Sequence, residues 1–411
     1  LKTSIYNIFF RGLTLVSKFL FIIFLGKYSI DETNLGIFGI LSTSLAFLIY
    51  VIGFDFYVFN TREIISKKNS LVENIRNQLY FHFIAYLIFV PTSIFVVFKL
   101  GFLSAEYLWI FIFLLISEHL GQELYRLFTT LEKSVLANLM LFLRSGLWVW
   151  IVVLEFLFLK KEIDLYRYLV IWSFFSYFSL LIFLIIAVRF TGIRNFNYVK
   201  PNWKWIKLGL KTSSVFFIGS LSFQVIQFSD RFMIDYFYGK KLVGVYTAYA
   251  QFTNAIDVFS FTAITMIAYP KLLSSFSDLK KYKKIQIKFL KELLIVSIFL
   301  ILLTLVVSPY IFKFLDKESF FLELPTFHLL LIGVFFLIMS NIFHYDLYVK
   351  KRDKIILRVA FTGMFTNVFL NVLLIPVYDI LGASLATMIS FVLIFVLKFY
   401  YSETAKKDDN I

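Results

Sequence analysis

This sequence predicts an all-α, polytopic membrane protein, with about twelve transmembrane helices in two pseudo-symmetric lobes of six. Three observations predict it. Of the 411 residues, 60% are hydrophobic and 20% aromatic, while 16% are charged, against about 25% in an ordinary soluble domain. The apolar residues gather in runs near the ~20 residues a helix needs to cross a bilayer. The longest polar interruption, "RFTGIRNFNYVKPNWKWIKLGLKTSS" from Arg189, divides these runs six and six. Runs such as Leu79–Val97 and Leu293–Val307 cannot all be covered in one water-soluble core, which has to present polar faces somewhere.

The spans follow in order, each bounded by polar clusters. The first, 5–26, is read as a retained helix and not a signal peptide, because Lys2 and Arg11 lie ahead of and inside it and no small-residue cleavage pattern follows. Lys27 separates it from the second, 35–59, which closes into a loop with Arg62, Lys67, Lys68 and Arg76. The third, 78–99, ends at Lys99; the fourth, 106–131, at Lys133; the fifth, 134–159, at Lys160 and Lys161; the sixth, 165–190, before Arg194 and Lys200. In the second half come 205–238 ahead of Lys240 and Lys241, 243–270 ahead of Lys280, Lys281, Lys283 and Lys284, and 287–312 ahead of Lys313 and Lys317. The tenth, 325–349, precedes Lys350, Lys351, Arg352 and Lys354; the last two, 355–376 and 380–401, flank a turn without cations. Lys and Arg concentrate after even-numbered spans, which places those loops and both termini in the cytoplasm. The expected domains are an N-terminal lobe, 1–192, a cytoplasmic linker, 193–204, and a C-terminal lobe, 205–411.

Lys200, Lys204, Lys207 and Lys211 recur at helical spacing beside Trp203 and Trp205, as in a helix lying among lipid headgroups; Lys280, Lys284, Lys288 and Lys291 repeat the pattern. Contact with headgroups is the first reading and recruitment of an anionic substrate the second. A Gly-Lys turn also recurs, at Gly26-Lys27 and Gly239-Lys240, each leading into a helix start (Gly36, Phe38; Gly244, Tyr246), a faint echo between the halves.

Composition excludes several classes. A net charge of +15 does not mark nucleic-acid binding, because the cations lie between apolar runs and form no continuous patch. No cysteine is present, and His82, His119, His328 and His344 are scattered without ligand spacing, so neither a metal nor another cofactor is expected. No phosphate-cradling glycine loop appears, which disfavours an ATP-driven pump.

Function should show in the ionisable residues inside the spans, since each costs about 2.5–3.5 kcal/mol at mid-bilayer unless it meets a partner or a wet cavity. Arg11, Thr14 and Lys18 share a face of the first span. Glu118, Gln122 and Arg126 follow one another at i, i+4 in the fourth, with His119 and Glu123 alongside. Arg144 lies in the fifth span, Asp257 and Asn254 in the eighth, and Asn367 and Asn371 form an i, i+4 pair in the eleventh, read as a helix-to-helix hydrogen-bonding pair. In "SDRFMIDYFYGKKLVG", 229–244, Gln227, Arg231 and Asp235 share a face, so Arg231 is expected to pair with Asp235, leaving Asp230 to seek a cation elsewhere.

Two stretches, "SDRFMIDYFYGKKLVGVYTAYAQ" (Ser229–Gln251) and "NVFLNVLLIPVYDILGASLATMIS" (Asn367–Ser390), make the chain resemble the Wzx-type O-antigen and polysaccharide flippases of the multidrug/oligosaccharidyl-lipid/polysaccharide (MOP) exporter superfamily. The second is the more specific, through Asn367, Asn371, Pro376, Gly382-Ala383-Ser384 and Ala386-Thr387; "GFDFYVFNTREIISKK" (Gly53–Lys68) adds to it. The resemblance covers essentially the whole chain. It implies a MATE/MOP-like fold and alternating-access transfer of an undecaprenyl-pyrophosphate-linked oligosaccharide from the cytoplasmic to the periplasmic leaflet of the inner membrane, for O-antigen or capsule. It also implies membrane lipids, a polysaccharide polymerase and a chain-length regulator as partners, and no enzymatic activity.

By location, the resemblance puts Arg11, Lys18, Arg144 and Arg231 in a cationic cavity that receives the pyrophosphate. Asp230, Asp235, Asp257, Glu118 and Glu123 are then ion-pair or coupling residues, and the acidic pair Glu118 and Glu123 would partly neutralise such a cavity. The rival within the superfamily is a MATE-type cation-coupled multidrug antiporter, which the cations of the first span argue against. The rival of another class is a membrane-embedded polysaccharide polymerase or glycosyltransferase, which normally needs a long external loop or a soluble catalytic domain.

Overall fold

A computed structural model describes residues 2–29, 31, 33–66, 70–159, 163–192 and 200–408. Lys67, Lys68, Lys160, Lys161 and Arg194 of the charged loops, and 193–199 of the expected linker, lie outside them. The described residues form helices and no strand, in two compact units, Leu1–Leu221 and Ser222–Ile411.

The first unit holds α1 (Lys2–Tyr28), α2 (Thr33–Gly53), α3 (Phe56–Ser66), α4 (Leu71–Ile94), α5 (Leu108–Thr130), α6 (Ser134–Ser145), α7 (Leu147–Leu159) and α8 (Leu165–Thr191). The division between units falls inside α9 (Trp203–Tyr238). The second unit continues with α10 (Lys240–Ser260), α11 (Met266–Ser274), α12 (Leu279–Leu315), α13 (Ser319–Leu322), α14 (Leu324–Val349) and α15 (Asp353–Asp408).

By length and composition, nine helical stretches among the described residues are able to cross a membrane. The last of them contains two arms, because α15 leaves helical geometry at Tyr378 (φ −124°) and Asp379 (φ 46°). α5 and α9 are of spanning length too, but polar and charged residues lower their hydropathy. With these the spans come to twelve.

α4 shows that the chain is built for lipid. Its buried residues include Asn74, Asn77, Gln78, His82 and Ser93, while Phe83, Leu87 and Ile88 are more than half exposed. That is the reverse of a soluble helix. On α12 likewise, Ile295, Phe299, Leu302 and Val306 form an uncovered apolar row. Only hydrocarbon tolerates so much apolar surface.

Two expected spans are broken. The second ends as α2 at Gly53 and resumes as α3 at Phe56, because Phe54 and Asp55 take positive φ (50° and 48°). The fifth divides into α6 and α7 at Gly146, where an added Cβ would lie 2.8 Å from Phe142 Cδ2 and 3.1 Å from Ser17 Oγ of α1. That approach lets Trp150 Nε1 donate to Ser17 Oγ at 2.9 Å. The headgroup helix expected from Lys204, Lys207 and Lys211 is the exposed start of α9, continuous with the seventh span. Of the two expected Gly-Lys turns, Gly239 is one (φ 80°), but Gly26 lies inside α1.

The two arms of α15 run back along each other. Val359 packs with Ile394, Asn367 Nδ2 reaches Thr387 Oγ1 at 3.5 Å, and a Cβ on Gly382 would lie 2.3 Å from the Leu374 carbonyl. Hence the small Gly382-Ala383-Ser384 run: a helical hairpin turning on two residues brings its backbones too close for larger side chains. Asn371 Nδ2 donates to Asn367 Oδ1 at 3.1 Å, both residues fully buried, as the i, i+4 spacing anticipates.

Each unit also buries a carboxylate among several donors. In the second, Asp346 of α14 accepts from Tyr282 Oη (2.7 Å) and Gln286 Nε2 (3.3 Å) of α12 and from Ser402 Oγ (2.7 Å) of α15, and pairs with Lys350 at 3.2 Å. One charge thereby ties three helices.

Candidate functional site

The first unit's counterpart is Glu118 of α5. It meets Arg144 Nε of α6 at 3.2 Å and accepts from Trp172 Nε1 and Ser176 Oγ of α8, each at 3.1 Å. Arg144, 4% exposed, also donates through Nη1 to the Glu118 carbonyl at 2.8 Å. Gly121 permits this, since a Cβ there would lie 2.3 Å from Arg144 Nη1. Lys18 of α1 is exposed, yet within electrostatic reach of both Glu118 and Arg144. Arg11, two turns earlier, is half-buried. The formal charge of Lys18, Arg144 and Glu118 sums to one positive, and Lys18 is the member of the three outside the ion pair.

In the second unit the pairing differs from the sequence expectation. Arg231 bonds to its neighbour Asp230, from its backbone N–H at 2.8 Å and from Nη1 at 3.2 Å, and Nη1 also donates to the Gln227 carbonyl at 2.6 Å. Tyr246 Oη donates to the other oxygen of Asp230 at 2.5 Å. Asp235 pairs instead with Lys240, across the turn at Gly239. Spacing favoured i, i+4, but the backbone hydrogen bond and Tyr246 hold Asp230 toward Arg231. Asp257 is half-buried on α10.

The fourth-span stripe divides between two faces. Glu118 turns to α6 and α8, whereas His119, Glu123 and Arg126 turn to α2, α3 and α4, so the grouping of Glu118 with Arg126 by spacing alone does not hold. Arg126 Nη1 donates to Glu123 Oε1 at 2.5 Å, its guanidinium lying over Tyr57 at 3.8 Å. Glu123 Oε2 accepts from Gln78 Nε2 at 2.6 Å, and Gln78 in turn accepts from Asn60. A cavity of about 90 Å³ opens here, lined by Tyr57, Asn60, Gln78, His82, Glu123 and Arg126 among others. The histidines look unrelated in the sequence, but the fold sets the rings of His82 and His119 4.7 Å apart, edge to face. The signal that could have found them is the i, i+4 spacing of Gln78 and His82 opposite that of His119 and Glu123.

A family model described as "Polysaccharide biosynthesis protein" matches residues 1–277. An uncharacterized membrane protein of Methanocaldococcus jannaschii is 26% identical over 190 residues, which is 45% of this chain and 37% of that protein. The match thus spans little more than a third of that curated relative's length. Among solved structures, the inward-facing form of a multidrug resistance MATE family transporter of the MOP superfamily superposes with a TM-score of 0.67 at 14% identity, over 96% of this chain and 94% of that one. The lipid II flippase MurJ, in an inward closed conformation, gives 0.70 at 16% identity, over 98% and 87%. At such identities the likeness establishes the fold, a multi-pass membrane architecture, in agreement with the superfamily that the sequence motifs resemble.

Proposed function

The chain belongs to the polysaccharide biosynthesis protein family, and from that premise we propose that it is a flippase. In this reading it carries an undecaprenyl-pyrophosphate-linked oligosaccharide from the cytoplasmic to the periplasmic leaflet of the inner membrane by alternating access, with both termini cytoplasmic. The product would feed O-antigen or capsule assembly, handed on to a polymerase and chain-length regulator.

The observation that carries the reading is Lys18, an exposed cation on a membrane-spanning helix beside a Glu118–Arg144 pair that is already satisfied. A diphosphate cannot enter ~30 Å of hydrocarbon unaided, and charge-assisted bonds from Lys or Arg to its oxygens offset part of that cost. Arg11 and Lys18 are the proposed entry contacts. Arg144 in the first unit and Arg231 in the second are the further proposed phosphate contacts, each exchanging part of its carboxylate contact for phosphate. Asp230, Asp235, Asp257, Glu118 and Glu123 balance that charge and are the proposed coupling groups. A MATE-type antiporter of cationic drugs would be poorly served by a surplus positive charge at this place.

The test is gene deletion followed by complementation. Lipid-linked repeat units should accumulate on the cytoplasmic leaflet, the wild-type gene should clear them, and Lys18→Ala should not, although the protein reaches the membrane. Normal surface glycan in the deletion strain would rule the reading out.

A further inference from the structure

We propose that the first unit also carries a site for a divalent transition-metal ion of the zinc type, held by His82, His119 and Glu123. The inference stands apart from the transport reading and concerns the face of α5 turned away from Glu118.

The donor set comes first. One ligand atom from each of the three residues lies within 4.8 Å of the others. Two imidazoles and a carboxylate suit zinc, cobalt or nickel, whereas sodium, magnesium and calcium favour oxygen alone. Metal–nitrogen bonds of about 2.0–2.1 Å in a tetrahedron put ligand atoms about 3.3 Å apart. Rotation of the rings would close that difference, and no hydrogen bond holds His82 against it: neither of its nitrogens has a partner, although the residue is 1% exposed.

His119 shows which nitrogen would bind. Its Nδ1 lies 2.6 Å from Tyr86 Oη, while Nε2 is buried without a partner. If Nδ1 carries the proton and donates to Tyr86, Nε2 keeps its lone pair for a ligand, the usual orientation device of metal-bound histidine. Burying three imidazole nitrogens without partners, both of His82 and Nε2 of His119, is costly, and a cation would offset that cost. Space is available as well. The missing side chain of Gly53 leaves a spot faced by His119 Nε2 (3.4 Å), Arg126 Nη1 (3.5 Å) and Glu123 Oε1 (3.6 Å), next to the cavity that His82 and Glu123 line.

Charge points the same way. Arg126 pairs with Glu123, and the buried Asp55 lies within electrostatic reach of the same guanidinium, so a second carboxyl group stands near the cluster. Glu123 has lone pairs to spare beyond its bonds to Arg126 and Gln78, and the chain Asn60–Gln78–Glu123 fixes the carboxylate from behind, as outer-shell partners do around metals.

The experiment titrates the purified full-length protein with Co²⁺, whose visible absorption reports a low-coordinate nitrogen and oxygen site, and then displaces it with Zn²⁺ or Mg²⁺. The expected result is one saturable equivalent, displaced by Zn²⁺ and not by Mg²⁺. Affinity should fall at least about 100-fold in His82→Gln or His119→Gln, and about 10–100-fold in Tyr86→Phe, the range typical for outer-shell loss. Should the histidine variants fail to fold, Glu123→Gln and Tyr86→Phe preserve shape and carry the test. No saturable Co²⁺ binding, displacement by Mg²⁺, or undiminished affinity in both shape-preserving variants would overturn the proposal. Because the readout is optical and needs no substrate, its failure leaves the flippase reading untouched, and the converse holds.

Discussion

Arg144 on α6 holds Glu118 on α5 twice over, through the carboxylate at 3.2 Å and through the backbone carbonyl at 2.8 Å. Removing one partner of a buried pair strands the other, at a cost of about 3–5 kcal/mol. Glu118→Ala should therefore lower the apparent Tm in detergent sharply, while Glu118→Leu with Arg144→Met recovers most of the loss. Equal melting of the single and double variants would mean the two residues are not coupled.

Lys18 and Arg144 should differ in chemical access. The chain has no cysteine, so Lys18→Cys and Arg144→Cys each introduce a lone thiol. A hydrophilic, membrane-impermeant maleimide should label the first rapidly in opened vesicles and the second little, because the proposed path puts Lys18 in contact with water while Arg144 is 4% exposed. Matching labelling rates would place Lys18 away from water and remove it from the proposed substrate path.

Asp346 should behave as a structural hub. In Asp346→Asn the ion pair with Lys350 is lost, and at least one of the donors from Tyr282, Gln286 and Ser402 then faces an amide hydrogen. A loss of about 3–5 kcal/mol is expected, measured as a fall in folded yield and apparent Tm. Wild-type melting would show that other groups hold α12, α14 and α15 together.

Gly382 and Gly363 offer a contrast within one hairpin. A Cβ on Gly382 would sit 2.3 Å from a backbone oxygen, whereas one on Gly363 would meet the end of a flexible side chain, Ile394 Cδ1, at 2.6 Å. Gly382→Ala should cost more than Gly363→Ala, in the 1–3 kcal/mol range of overpacking or above. Thermal melts of the two variants decide the order, and a milder Gly382→Ala would contradict the close approach.

Much of the architecture was legible in the sequence, because hydrocarbon forces each crossing to be a long apolar helix and forces cations to its ends. The breaks were not. Phe54-Asp55 and Tyr378-Asp379 contain neither Gly nor Pro, and the positive φ of Phe54, Asp55 and Asp379 falls on residues whose types do not announce it. Pairing was legible where partners are local, as in Asn367–Asn371, and illegible where the competition is three-dimensional, as when Lys240 takes Asp235 and leaves Arg231 to Asp230. His82 and His119 were missed for the same reason: they come from different helices, and the packing of both α4 and α5 on α2 and α3 brings their rings together.

The two-residue turn of α15 has a practical corollary for anyone handling the protein. With so little chain between its arms, that end of the hairpin offers almost nothing for a protease to cut or an antibody to grasp, and a tag inserted between Val377 and Ile380 would have to prise the arms apart. Reporters and affinity handles belong elsewhere, on segments whose backbone is not clamped by a neighbouring helix.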